Sequence, residues 1–155
     1  PLCHIIAAKA VAFGEALKPA YKQYMQQVVN NCKTLAEDLV SRGFRLCSGG
    51  SDNHLLLLDL RPYNENLTGA VAEKWLQQAG IVTNKNLIPF DTRKATEASG
   101  IRIGTPALTT RGLKEAEMKV VANLIDTALK SEGDQAKIAQ VRARVTEMCN
   151  KFPLE

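Results

Sequence analysis

The sequence predicts an α+β domain, a small antiparallel sheet with helices packed on one face. Three observations carry this. Apolar residues recur at helical spacing up to residue 42, short apolar runs between turn residues occupy the middle, and helical spacing returns after about residue 109. The expected order is α-α-β-β-α-β-β-α-α.

Ile6, Ala10, Phe13 and Leu17 mark the first helix, which Pro19 interrupts. A second helix carries Tyr21, Met25, Val28, Cys32, Leu35, Ala36 and Leu39 as its apolar stripe, and Gly43 supplies a left-handed cap. Phe44–Cys47 reads as a short strand, and Ser48 to Asn53 as a hairpin turn. Leu55–Leu58 reads as a strand buried on both faces. Thr68 is the expected N-cap of a helix reaching Ala79, burying Val71, Ala72, Trp75 and Leu76, with Gly80 closing it. Ile81–Thr83 and Ile101–Ile103 are the remaining strands. The long segment from Asn84 to Gly100 between them is of the length that loops usually reach only for function. A long helix is expected from Thr109 or Thr110 to about Leu129, burying Leu113, Val120, Val121, Leu124 and Ala128. The last spans roughly Asp134 to Cys149, with Ile138, Val141, Val145 and Met148 inward.

Composition narrows the function. The 155 residues are 45% hydrophobic and 23% charged, which suits one core and is short for two domains. Twenty Lys and Arg against 16 Asp and Glu give a net charge of +4. Bases and acids are interleaved, as in Lys114, Glu115, Glu117 and Lys119, which marks solvated helix faces rather than a phosphate-binding stripe. Aromatic residues make up 5%, too few for a base-stacking platform, so no nucleic-acid partner is expected. Four scattered cysteines and two histidines make no zinc pattern and fit a reducing compartment. No apolar run is long enough for a membrane span, and no leader is evident, so the expectation is a cytoplasmic protein. The chain begins at Pro1 and runs straight into apolar residues, which suggests a piece of something longer.

Catalytic motifs are sparse: no GxSxG, HExxH, Walker loop or GxGxxG occurs. His4 and His54 read as structural histidines, and Tyr21 and Trp75 as core. The most informative stretch is Ser99–Gly100–Ile101–Arg102–Ile103–Gly104–Thr105–Pro106. On a strand, Arg102 alternates with two isoleucines and points away from their face. The flanking glycines allow close approach of a ligand or a second backbone. Such a guanidinium can hold a carboxylate through two parallel bonds, or it can serve a structural salt bridge; the residues alone leave both open. Asn84–Lys85–Asn86 opens the long loop, and its amides could read the edge of a heterocycle or simply make a turn.

Five runs in order carry a family resemblance: Pro1–Ala7, Ser48–His54, Asn66–Gly69, Asn84–Asn86 and Ser99–Ala107, supported by Thr110–Arg111–Gly112. Together they resemble the C-terminal third of serine hydroxymethyltransferase. The resemblance implies an aspartate-aminotransferase-like fold, in which this chain is the small C-terminal domain. Residues 1–18 would then be the helix connecting it to a large cofactor domain.

The family interconverts serine and glycine and passes a one-carbon unit to tetrahydrofolate, using pyridoxal phosphate. By resemblance Arg102 binds the amino-acid carboxylate, and Asn86 contacts the pterin of the folate. Thr96 falls in the folate loop, where this chain has Lys94–Ala95–Thr96 in place of the family's frequent Ser-Pro-Phe. Arg111 matches an arginine near the site, with a supporting or structural role. The lysine that carries the cofactor lies upstream, and Lys85 does not replace it. The fragment alone is expected to be inactive, with no catalytic residue of its own, and the intact enzyme to be a homodimer or dimer of dimers. A free-standing binding module of the same fold is the alternative. A different pyridoxal-phosphate enzyme, such as an aminotransferase, is disfavoured by the Asn84–Asn86 and Asp52–His54 runs.

Overall fold

The computed structural model describes residues 1–154. The elements are α1 (Cys3–Ala16), α2 (Pro19–Ser41), β1 (Arg45–Leu46), β2 (Leu55–Asp59), α3 (Gly69–Gln78), β3 (Asn84–Asn86), β4 (Gly100–Gly104), α4 (Pro106–Thr110), α5 (Glu115–Lys130) and α6 (Gln135–Lys151). The strands form one antiparallel sheet in the order β1-β2-β4-β3. The predicted α+β class is therefore the observed one.

The sequence dictates most of these limits. Pro19 starts α2 at a position that needs no amide donor. Gly43, at φ +93°, ends the chain's turn out of α2, and the amide of Phe44 reaches back to Leu39 O at 3.1 Å. Thr68 caps α3 by accepting from the amide of Val71, and Asp134 caps α6 by accepting from Ala136 and Lys137.

The core lies between the sheet and the helices. Leu46, Leu56, Leu58, Ile101 and Ile103 point to one side and join Leu35, Leu39, Leu76, Ile125 and Leu129 in a single cluster. Helices α2 and α3 lie against this face, α5 packs on both, and α6 packs on α3 and α5. Buried Asn31 ties the layers together. Its amide donates to Thr109 Oγ1 and Leu113 O, each at 2.9 Å, and Gln27 donates to its oxygen.

Several expectations need correction. The third strand is Asn84–Asn86, not Ile81–Thr83. Ladder pairing with Gly100, Ile101 and Arg102 decides the register, while Ile81 closes α3 by bonding to Leu76 O and Val82 is 87% exposed. The long helix starts at Glu115 because Gly112, at φ +89°, breaks it from the short α4. Strand β2 is buried on one face only: Leu56 and Leu58 are in the core, whereas Leu55 and Leu57 are half-buried. Val71 and Val120 face solvent rather than the core, as does Tyr21, while Trp75 packs against the core's edge. His4 and His54 are both exposed. Helix α1 buries none of its residues, although it is apolar around its circumference.

Candidate functional site

The sheet has a second face that none of the described helices covers, and Arg102 and Asn86 are on it. Antiparallel partners share a face, so the pairs Leu57–Arg102, Asn84–Arg102, Asn86–Gly100 and Asp59–Gly100 place all these residues together. Alternation does the rest. Ile101 and Ile103 are buried in the core, and Arg102 between them is exposed on the opposite side.

Arg102 is free of acidic partners among the described residues. Its one hydrogen bond is from Nη2 to Asn84 Oδ1, at 3.4 Å. The structural salt bridge left open by the sequence is not formed. What remains is a guanidinium on an open face with its donors uncommitted, the arrangement suited to an incoming carboxylate.

Asn86 stands beside it on the neighbouring strand, half-buried, with its Nδ2 donating to Leu87 O at 2.7 Å. Its Oδ1 is left to accept. Lys85, between Asn84 and Asn86, points to the helical side. Its Nζ lies 3.2 Å from Glu73 Oε2, and the same carboxylate takes its backbone amide. Lys85 is thus a fastener between β3 and α3, turned away from the open face.

Two other residues singled out by sequence lie apart from this pair. Thr96 is exposed in the turn of the long loop. Arg111 follows α4 and is directed at α6, with Nη2 donating to Cys149 O at 2.7 Å. Its contact joins helices and touches neither Arg102 nor Asn86 through a hydrogen bond.

Sequence reasoning missed two carboxylates. Asp59, 1% exposed at the end of β2, is held by Arg45 and by Arg61, whose Nη2 is 3.0 Å away. Burial pushes its pKa up, but the bonds from Arg61 and Arg45 outweigh that and hold it below the usual carboxylate range. The two arginines, Cys47, Ile88 and Pro89 border a cavity of about 220 Å³. Asp91 sits inside the long loop and collects hydrogen bonds from Ile88, Arg93 and Ser99. Burial raises its pKa and those four bonds lower it further, leaving it at about 2. The half of each arrangement that is local, a carboxylate accepting from the amide two residues on, is an ordinary Asx turn and could have been read from sequence. The long-range half could not.

The open face thus carries one guanidinium with uncommitted donors and, on the next strand, one amide oxygen without a hydrogen-bond donor among the described residues. A pyridoxal phosphate has less. The described residues offer no uncommitted lysine on strands β1 to β4, and no group of three or more metal-ligating side chains. Among the described residues no helix is long and apolar enough to cross a membrane.

The fold agrees with the comparisons to known proteins. The pattern describing serine hydroxymethyltransferases matches residues 1–125. A serine hydroxymethyltransferase of Myxococcus xanthus (strain DK1622) is 56% identical over 154 residues, covering 99% of this chain. The chain belongs to the serine hydroxymethyltransferase family. It spans 36% of the length of that relative.

Proposed function

We propose that this chain is the C-terminal part of a serine hydroxymethyltransferase, an enzyme that interconverts serine and glycine and transfers a one-carbon unit to tetrahydrofolate. The observation that carries the reading is Arg102, exposed on the uncovered sheet face with no acidic partner. In this role its planar fork binds the amino acid's carboxylate through two charge-assisted bonds and so fixes the orientation of the substrate's Cα. Asn86 reads the pterin edge of the folate through its free carbonyl oxygen. Thr96, on the loop that follows β3, borders the folate, and Arg111 supports from behind by holding α4 to α6.

Pyridoxal phosphate supplies the electron sink for bond cleavage at Cα. The residues described here do not make a site for it, since Lys85 is committed to Glu73 on the other side of the sheet. The cofactor belongs to the large domain. The fragment by itself is accordingly inactive. Helix α1, whose apolar surface is exposed all round, is the connector that packs against that domain. The full enzyme acts as a homodimer in the cytoplasm, in keeping with four free cysteines.

The test is Arg102→Ala in the full-length enzyme. Losing a bidentate charge-assisted pair is worth about 3 kcal/mol, so kcat/KM for serine should fall roughly a hundredfold. Unchanged kcat/KM removes Arg102 from the site and with it the reading of the open face.

A further inference from the structure

The segment that links β3 to β4 is organised around one carboxylate. Asp91 Oδ2 accepts from the amides of Ser99, at 2.8 Å, and Ile88, at 3.3 Å. Its Oδ1 accepts from Ser99 Oγ, at 2.7 Å, and from the amide of Arg93, at 3.0 Å. Ile88 follows the end of β3 by two residues, and Ser99 directly precedes β4. One side chain therefore staples the exit of the strand bearing Asn86 to the entry of the strand bearing Arg102.

The staple has a consequence on the open face. Ile88 is 5% exposed, and its Cγ2 lies 2.5 Å from where a Cβ on Gly100 would be. It lies against β4 at Gly100, two residues before Arg102 and hence one step along the same face. The rest of the loop is fixed in turn. Arg93 donates to Leu67 O at 3.0 Å and to Glu65 O at 2.5 Å. The carbonyls of Glu97 and Ala98 accept from Ala70 and Gly69 at the start of α3. Phe90 and Ala98 hold φ values of +57° and +53°, a region that residues with a Cβ seldom adopt and that needs surrounding bonds to persist.

We propose that Asp91 is a positioning residue of the substrate site: its carboxylate holds Ile88 against Gly100 and fixes the placement of Asn86 relative to Arg102. Asp91 touches neither ligand. It acts on binding, through the geometry of the two strands, and leaves the chemical step alone. This rests on the reading of Arg102 and Asn86 as ligand-binding residues.

The experiment uses full-length enzyme carrying Asp91→Asn, Ser99→Ala, Arg102→Ala and the Asp91→Asn/Arg102→Ala pair. An amide in place of the carboxylate turns an NH2 toward donors and breaks at least two of the four bonds. The expected result for Asp91→Asn is a rise of about tenfold in KM for serine and for tetrahydrofolate, with kcat within about twofold of the parent. Ser99→Ala, which removes only the hydroxyl bond, should move the same constants the same way by a smaller factor. In the Arg102→Ala background, Asp91→Asn should add almost nothing to the serine effect, because its influence runs through Arg102.

A purely structural Asp91 would lower the melting temperature or the active fraction, hence kcat, and leave both KM values in place; that result overturns the proposal. Additive effects in the double variant overturn it too. If Asp91→Asn does not fold, Ser99→Ala decides, and unchanged KM values there count against the proposal. Should Arg102→Ala itself leave serine affinity intact, the functional reading fails first. A strong Arg102→Ala effect beside a silent Asp91→Asn sinks only the staple.

Discussion

Arg102 and Asn84 face each other across the β3–β4 pair, with Nη2 and Oδ1 3.4 Å apart. That distance is at the limit of a hydrogen bond and makes Asn84 a weak companion. It restrains the guanidinium without neutralising it. A carboxylate arriving on the open face would meet donors that are pre-placed and not already spent.

Arg102→Lys should therefore be nearly as damaging as Arg102→Ala in the full-length enzyme. Lysine keeps the charge but loses the planar fork, and its point charge cannot hold both carboxylate oxygens. The expected loss in serine affinity is at least roughly tenfold. Recovery of wild-type affinity by lysine would mean that only charge matters at this position. Asn84→Ala, by contrast, should change affinity less than about threefold, since the bond it removes is long and exposed.

Gly100→Ala tests the close approach of the loop. An added Cβ would lie 2.5 Å from both Ile88 Cγ2 and the carbonyl oxygen of Leu58. The backbone oxygen cannot move without disturbing the β2–β4 ladder, so overpacking should cost about 1–3 kcal/mol. Urea unfolding of the chain should show the midpoint falling with an unchanged slope. A neutral Gly100→Ala would indicate that Ile88 does not pack there.

Acid stability should carry the signature of Asp91. Its pKa is lowered from 3.8 to about 2, so its folded form favours the ionised carboxylate. The contribution is complete above about pH 4 and is lost as pH falls through about 2, amounting to about 2 kcal/mol. Unfolding free energies measured between pH 5 and pH 2 should drop more steeply for the parent than for Asp91→Asn. Parallel curves would remove Asp91 as the source.

Helix α1 exposes Ile6 at 59%, Val11 at 64% and Phe13 at 68%. An apolar surface of this kind on a free chain binds hydrophobic dyes and drives self-association. Removing residues 1–17 should abolish dye binding by the isolated chain while leaving its helical circular dichroism otherwise intact. Equal dye binding with and without those residues would place the sticky surface elsewhere.

Much of this was legible because local chemistry and tertiary packing agree. The caps Thr68 and Gly43, the start of the last helix near Asp134, the core stripe from Val28 to Leu39, and the outward turn of Arg102 all follow from periodicity and turn residues. Where they conflict, the sequence misleads. Ile81–Val82–Thr83 has the composition of a strand, yet the polar run Asn84–Lys85–Asn86 takes the edge position because it matches β4 in register. Val71 and Val120 sit on helical stripes that happen to face solvent. Residue chemistry left Asn86 open between a turn and a heterocycle's edge, and only the family resemblance chose the folate role and supplied Thr96. Asp91 was illegible for a different reason. Two of its four bonds go to Ser99, eight residues away, and only the folded loop brings them together.

The most direct test compares serine with serinamide, its carboxyl-neutral analogue, as ligands of full-length enzyme with and without Arg102→Ala. Wild-type enzyme should prefer serine by roughly a hundredfold and the variant should lose nearly all of that preference, because the carboxylate's partner has gone. Equal discrimination by both proteins would show that another group binds the carboxylate, and the assignment of the open face would fall.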